Sequence, residues 1–254
     1  MIDPKGMTVL VTGATAGLGA ATARRFAAAG CKLVLAGRRA DRLEAMKKEL
    51  NVPVHTLVLD VQKRKAVEAA IAGLPKEFAA IDVLVNNAGL ALGLEPAHKA
   101  DLDDWDTMVD TNVKGLVYVT RAVLPGMIER NKGHIINLGS TAGSYPYPGG
   151  NVYGASKAFV RHFSLNLRAD IVGSRVRVTS LEPGLVETDF SLVRFKGDAD
   201  KAAGIYKGVE AMQPEDIAET IFFVATLPER VNVNRIELMA LMQASGPLVV
   251  KRDA

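Results

Sequence analysis

The stretch TVLVTGATAGLGAA, Thr8 to Ala21, decides how the rest of the chain is read. It opens as a short apolar strand, turns through glycines at 13, 17 and 19, and runs into an alanine-rich helix. That helix is expected over Leu18 to Ala29, with Gly30 as its C-cap. Glycine at those three positions leaves a bare backbone at the mouth of a helix. A helix N-terminus carries free N–H groups and a partial positive charge, so a pyrophosphate can settle there. An ordinary tight strand–helix turn is the plainer alternative. The place of the glycines between a strand and a helix favours the phosphate cradle.

Six more apolar runs follow: KLVLAG from Lys32, VHTLVLD from Val54, DVLVNNAG from Asp82, GHIINLGS from Gly133, RVRVTSLEPG from Arg175 and RIELMAL from Arg235. Most are nearly all apolar, as suits parallel strands covered on both faces. Helical patterns separate them, at Asp41 to Leu50, Lys63 to Ala72, Asp103 to Arg130, Tyr153 to Val172 and Pro214 to Thr226. Pro214 with Glu215 and Asp216 marks a helix start. Strand then helix, repeated, predicts an α/β Rossmann fold: one doubly wound, seven-stranded parallel sheet with helices on both faces. No linker or internal repeat interrupts the pattern, so one domain over residues 1–254 is expected. Phe190 to Gly208 has weak periodicity and three glycines, and reads as a mobile excursion.

Composition bounds the function. The 254 residues are 48% hydrophobic and 23% charged, with a net charge of +3 and interspersed signs. That is ordinary globular composition, without the dense basic block that nucleic acid requires. The lone Cys31 excludes an intrachain disulfide and any cysteine-pair zinc site. The four histidines show no metal-ligand pairing, so no metal is expected. No apolar run reaches membrane-spanning length, and the opening MIDPKGMTVLVTG lacks a signal-peptide layout. The expected location is cytoplasmic.

Two further clusters carry chemistry. NAD-binding folds place an acid about 20 residues beyond the glycines, at the end of the second strand. Here LAGRR puts Arg38 and Arg39 there. Arginine pairs with a 2′-phosphate that an acid would repel, so the expected coenzyme is NADP; two solvated arginines are the alternative. Asp60, ending the third strand, either accepts from the adenine amino group or caps the next helix. In NVYGASKAF, Tyr153 and Lys157 lie four apart, on one face of a helix. A cation near a phenol favours the phenolate, which suits proton transfer, although a surface stack of Tyr on Lys has the same spacing.

Taken together, TGATAGLG (Thr12–Gly19), NNAG (Asn86–Gly89), Asn112 in DTNVKG, Ser140 in NLGSTAG, YGASK and PGLVET (Pro183–Thr188) resemble the short-chain dehydrogenase/reductase family along nearly the whole chain. The resemblance implies that Tyr153 is the general acid/base. It implies that Lys157 holds the nicotinamide ribose and lowers the phenol's pKa, that Ser140 binds the substrate oxygen, and that Asn112 anchors a proton-relaying water. It implies coenzyme contacts at Gly13, Thr15, Gly17, Leu18 and Gly19, at Asp60 and Val61, and at Asn87, Ala88 and Gly89. Pro183, Gly184, Val186 and Thr188 complete the set with Tyr153 and Lys157. Taken singly, Ser140 reads as a strand-end cap, Asn112 as a buried amide and Thr188 as a helix cap.

NNAGLALGLEPAHKA, GSYPYPGGNVYGASKAFVRHFSLNLR and EPGLVETDFSLVRFKGD are similar to the NADP-dependent 3-hydroxy acid dehydrogenases. This implies a small 3-hydroxy acid or aldehyde acid as substrate, of the serine, allo-threonine or malonic semialdehyde type. A carboxylate needs a partner, and Arg194 is the candidate; a solvent-facing or phosphate-binding lid arginine is the alternative. Tyr145 and Asn151 are expected near the pocket. The rival readings are a coenzyme-binding sensor without turnover and a reductase of carboxylate-free carbonyls. The resemblance also implies a homotetramer.

Overall fold

The structure, a computed structural model, describes residues 1–245. Seven parallel strands form one sheet: β1 (Thr8–Thr12), β2 (Lys32–Gly37), β3 (Val54–Val58), β4 (Val83–Asn86), β5 (Gly133–Leu138), β6 (Val176–Pro183) and β7 (Arg235–Leu238). Their order is β3-β2-β1-β4-β5-β6-β7. The chain reverses direction across the sheet between β1 and β4, which pair with Val9 beside Val83 and Val11 beside Val85. Such a reversal opens a crevice at the carboxyl ends of the two strands, where doubly wound sheets bind ligands.

Alternation along the strands explains why both sheet faces are covered. Val9 and Val11 point into one core with Leu33, Leu35 and Phe26. Leu10 points into the other with Val34, Leu84 and Ile135. Helix α1 (Gly17–Ala28) and helix α9 (Pro214–Thr226) pack on the first face. Helices α3 (Arg64–Ala72), α5 (Leu116–Glu129) and α6 (Asn151–Asp170) pack on the second, and α2 (Ala40–Glu49) joins β2 to β3. The expected start at Pro214 is realised as a capping box between Gln213 and Asp216. Gly30, at φ +77°, ends α1 as read from the sequence, because the left-handed conformation costs glycine little.

Three expectations change. The long helix over Asp103–Arg130 is α4 (Leu102–Val109) followed by a π-helical turn (Asp110–Gly115) and then α5. The third strand ends at Val58, so Asp60 lies in the loop beyond it. The weakly periodic excursion holds two short helices, α7 (Phe190–Arg194) and α8 (Ala199–Gly204). No helix among the described residues is long and apolar enough to cross a membrane.

Candidate active site

The cleft at the β1/β4 crevice encloses about 390 Å³. Its floor is the turn after β1. Gly13 and Gly17 have positive φ, +64° and +48°, which side-chain-bearing residues rarely adopt. A Cβ on Gly19 would press into the Gly13 carbonyl oxygen and lie 2.5 Å from Asn87 Nδ2. Gly19 therefore stands behind the wall as a packing glycine. No side chain caps the N-terminus of α1, so its N–H groups remain available for an anion. The turn is held from across the crevice. Asn87 Nδ2 donates to Thr12 O (2.9 Å) and Gly13 O (3.2 Å), and Thr12 Oγ1 accepts from Asn87 N and Ala88 N (3.0 Å each).

At one end of the cleft Arg38 and Arg39 are exposed, and Arg39 donates to Thr15 Oγ1 through Nε (3.2 Å) and Nη2 (2.7 Å). Asp60 lines the cleft, and its Oδ1 accepts from Gln62 N at 3.1 Å. Thr15, Leu18, Val61, Ala88 and Gly89 lie along the walls. Pro183, Gly184, Val186 and Thr188 close the other side. A glycine cradle, an open helix terminus and two arginines fit a dinucleotide with a phosphorylated ribose. Among the described residues no carboxylate competes for that phosphate at the end of β2.

The far end is polar and buried. Helix α6 presents Tyr153 and Lys157 one turn apart. Lys157 is 7% exposed, and its Nζ donates to Leu138 O at 2.8 Å. An ammonium has three N–H donors, so two remain for hydroxyls in the cleft. Ser140 follows β5 on a short turn that packs directly on α6. A Cβ on Gly143 would lie 2.7 Å from the Lys157 carbonyl carbon, so only glycine lets the turn come this close. Ser140 Oγ accepts from Ala142 N at 3.1 Å, which caps the turn, and the hydroxyl is near enough to the Tyr153 phenol to act on its acidity.

Burial pushes the Tyr153 phenol up to about 12, while the Ser140 hydrogen bond and the Arg194 charge pull it down. Burial pushes the Lys157 ammonium down to about 8. Its Nζ lies 5.9 Å from the ring centroid and is aimed at Leu138 O, and the downward pull comes from Ser140 and Arg194.

Asn112, 1% exposed, does not reach the cleft wall. Its Oδ1 accepts from Leu90 N (2.9 Å), and its Nδ2 donates to Leu90 O (2.8 Å) and Ser156 Oγ (3.0 Å). The side chain thus ties the loop after β4 to α6, the buried-amide reading. Arg194 also stands behind the wall. Its guanidinium lies 5.0 Å over the Tyr153 ring and 5.4 Å over Phe190, and Nη2 donates to Tyr147 Oη at 2.9 Å. Arg194 Nε is buried and has no hydrogen-bond partner among the described residues.

Tyr145 donates instead to Glu237 Oε1 on β7 at 3.0 Å, and Asn151 Nδ2 donates to Glu95 O at 3.2 Å. Tyr147, two residues from the expected tyrosine, is the one that meets Arg194. Phe190 and Val193, which line the cleft, were not anticipated either. Their signal was weak because they sit on a five-residue helix too short to show a period.

Comparison with known proteins agrees with this geometry. A family model described as short chain dehydrogenase matches residues 7–198. NADP-dependent 3-hydroxy acid dehydrogenase YdfG of Salmonella typhi is 62% identical, over 97% of this chain and 100% of that protein. Sulfoacetaldehyde reductase 2 of Chromohalobacter salexigens is 55% identical, over 96% of this chain and 98% of that protein. The solved closed form of serine dehydrogenase complexed with NADP+ superposes with a TM-score of 0.94 at 59% identity, covering 97% of this chain and 100% of that one. The chain belongs to the short-chain dehydrogenase family.

Proposed function

We propose that this protein is an NADP-dependent oxidoreductase that interconverts a small 3-hydroxy acid and its 3-oxo or aldehyde counterpart. The convergence of Ser140, Tyr153 and Lys157 at the end of β5, with an arginine over the tyrosine ring, carries the reading. NADPH supplies a hydride from its nicotinamide to the carbonyl carbon. Tyr153 Oη, a protonated phenol at neutral pH, donates a proton to the oxygen that gains charge. Ser140 Oγ donates a hydrogen bond to the same oxygen and stabilises the charge as it develops. Lys157 has two free donors for the ribose hydroxyls, and Arg38 and Arg39 face the 2′-phosphate. Thr188 contributes a hydroxyl on the nicotinamide side. Asn112 acts through the loop it holds.

Arg194 is the partner of the substrate's anionic end. A buried guanidinium N–H without an acceptor is costly, and a carboxylate would supply the acceptor. The named substrates of the relatives fit this reading: 3-hydroxy acid, serine and sulfoacetaldehyde each carry an anionic group a few atoms from the reacting carbon. The protein works as one domain in the cytoplasm and as a homotetramer.

The test is turnover of malonic semialdehyde with NADPH, followed at the nicotinamide absorbance band. The expected result is turnover with NADPH, far less with NADH, and a loss of kcat on the order of 10³-fold in Tyr153→Phe. Tight NADPH binding with no turnover of any short carbonyl identifies a sensor. Equal kcat/KM for aldehydes with and without a carboxylate removes the role of Arg194.

A further inference from the structure

Tyr206 belongs to no motif and lies just beyond α8, yet its phenol joins two sides of the site. Its Oη donates to Val186 O at 3.1 Å. It shares a hydrogen bond with Ser191 Oγ at 2.7 Å, either oxygen able to donate, and accepts from Thr188 N at 3.4 Å. Thr188 O lies 3.5 Å away, so the phenol meets the strip at two residues and the helix at one. Val186 and Thr188 lie on the coenzyme side of the cleft. Ser191 is buried on α7, the helix that places Phe190 and Arg194 against Tyr153.

The surroundings leave this phenol the task of linking the two sides. The strip 185–187 is fixed from outside, with Glu187 N donating to Met212 O (2.9 Å) and Met212 N to Leu185 O (3.1 Å). The far end of α7 is fixed separately. Gly93 N donates to Arg194 O (3.0 Å), and Lys196 Nζ pairs with Asp104 (2.9 Å). Between these anchors Thr188 makes a local cap, its Oγ1 accepting from Phe190 N at 3.2 Å. The Tyr206 bonds run across the bend from strip to helix. A small shift of Val186 or Thr188 is therefore transmitted to Ser191, and so to the helix that bears Arg194.

We propose that Tyr206 is a positioning residue that couples occupancy of the coenzyme wall to the placement of Arg194, so that coenzyme and an anionic substrate strengthen each other's binding. This rests on the functional reading above. Coupling of this kind is reciprocal: whatever factor the substrate gives the coenzyme, the coenzyme gives the substrate.

The experiment titrates NADPH by its fluorescence, with and without saturating 3-hydroxypropionate. Both ligands are in the reduced form, so no hydride moves. The wild type is expected to bind NADPH about tenfold more tightly with the hydroxy acid present. Tyr206→Phe keeps the ring and removes the oxygen. Its enhancement should fall below about twofold, while its affinity for NADPH alone stays within about threefold of the wild type. Ser191→Ala removes the α7 half of the link and should lose the enhancement too; it serves as the check should the tyrosine variant unfold. Full enhancement in both variants, or none in the wild type, overturns the coupling. A wild type that binds no NADPH defeats the functional reading itself, and the coupling with it.

Discussion

Lys157 and Tyr153 are displaced from their ordinary pKa values in opposite directions by the same cause, burial. For Lys157 the folded value of about 8 lies below the ordinary 10.5, so the folded protein holds fewer protons than the unfolded chain between those values. Stability rises with pH wherever the unfolded state binds more protons. The cost of burying the ammonium is thus present in full below pH 8 and is relieved as pH climbs toward 10.5. Tyr153 works the other way, but only above pH 10, where the folded protein retains a proton that the unfolded chain loses. A window from pH 7 to 9.5 leaves the tyrosine out, and the Cys31 thiol, which burial pushes up to about 11, contributes equally to wild type and variant. Over it, the coenzyme-free wild type should gain about 2 kcal/mol relative to Lys157→Met, measured by urea unfolding of both proteins. Parallel pH dependence in the two would show that Lys157 titrates normally.

The β1–turn–α1 unit shows what one element demands of its residues. Gly13 and Gly17 are required by backbone conformation and Gly19 by close approach, so three glycines serve two physical purposes. Gly19→Ala should destabilise the protein by about 1–3 kcal/mol, because the new methyl group must displace main chain rather than a flexible side chain. It should also weaken NADPH binding, since the displaced group is the cradle itself. Thermal unfolding and an NADPH titration check both; an unchanged Tm would show that the turn yields freely. This unit was legible in the sequence because its signals are local: an apolar run, a glycine spacing and an alanine-rich helix. Tyr153 and Lys157 could be put on one helix face from their spacing alone, whereas Ser140 entered only through the family resemblance, since taken singly it reads as a strand-end cap. Arg194's neighbours were not legible. Tyr147, Phe190 and Tyr206 come together from loops and short helices without a period, and the tyrosine two positions away, Tyr145, turned to β7 instead. Spacing gives a shared helix face but not where an ammonium points. Lys157 points at Leu138 O.

At the scale of the whole molecule, α6 and the β7 side of the sheet both carry exposed apolar side chains. On α6, the helix that carries Tyr153 and Lys157, Phe159 (38% exposed) stacks on Phe163 at 5.7 Å, and Leu165 is 44% exposed. Next to β6, on which α6 packs, β7 is an edge strand among the described residues, and Phe223 on α9 is 47% exposed. A sheet edge without a neighbour among the described residues and an exposed aromatic side chain both favour association, and copies of one chain associate most readily through self-complementary two-fold contacts. Two distinct patches of this kind would serve the proposed tetramer, with two sorts of two-fold interface. One interface would lie along α6, where it would hold the catalytic helix in place. Light scattering should therefore give a mass close to four times the 27.1 kDa chain. Phe159→Glu places a charge on the α6 patch and leaves β7 untouched, so it should halve the mass and lower turnover together. A variant that remains tetrameric would show that α6 lies outside the interfaces, and a monomeric wild type would remove the assembly altogether.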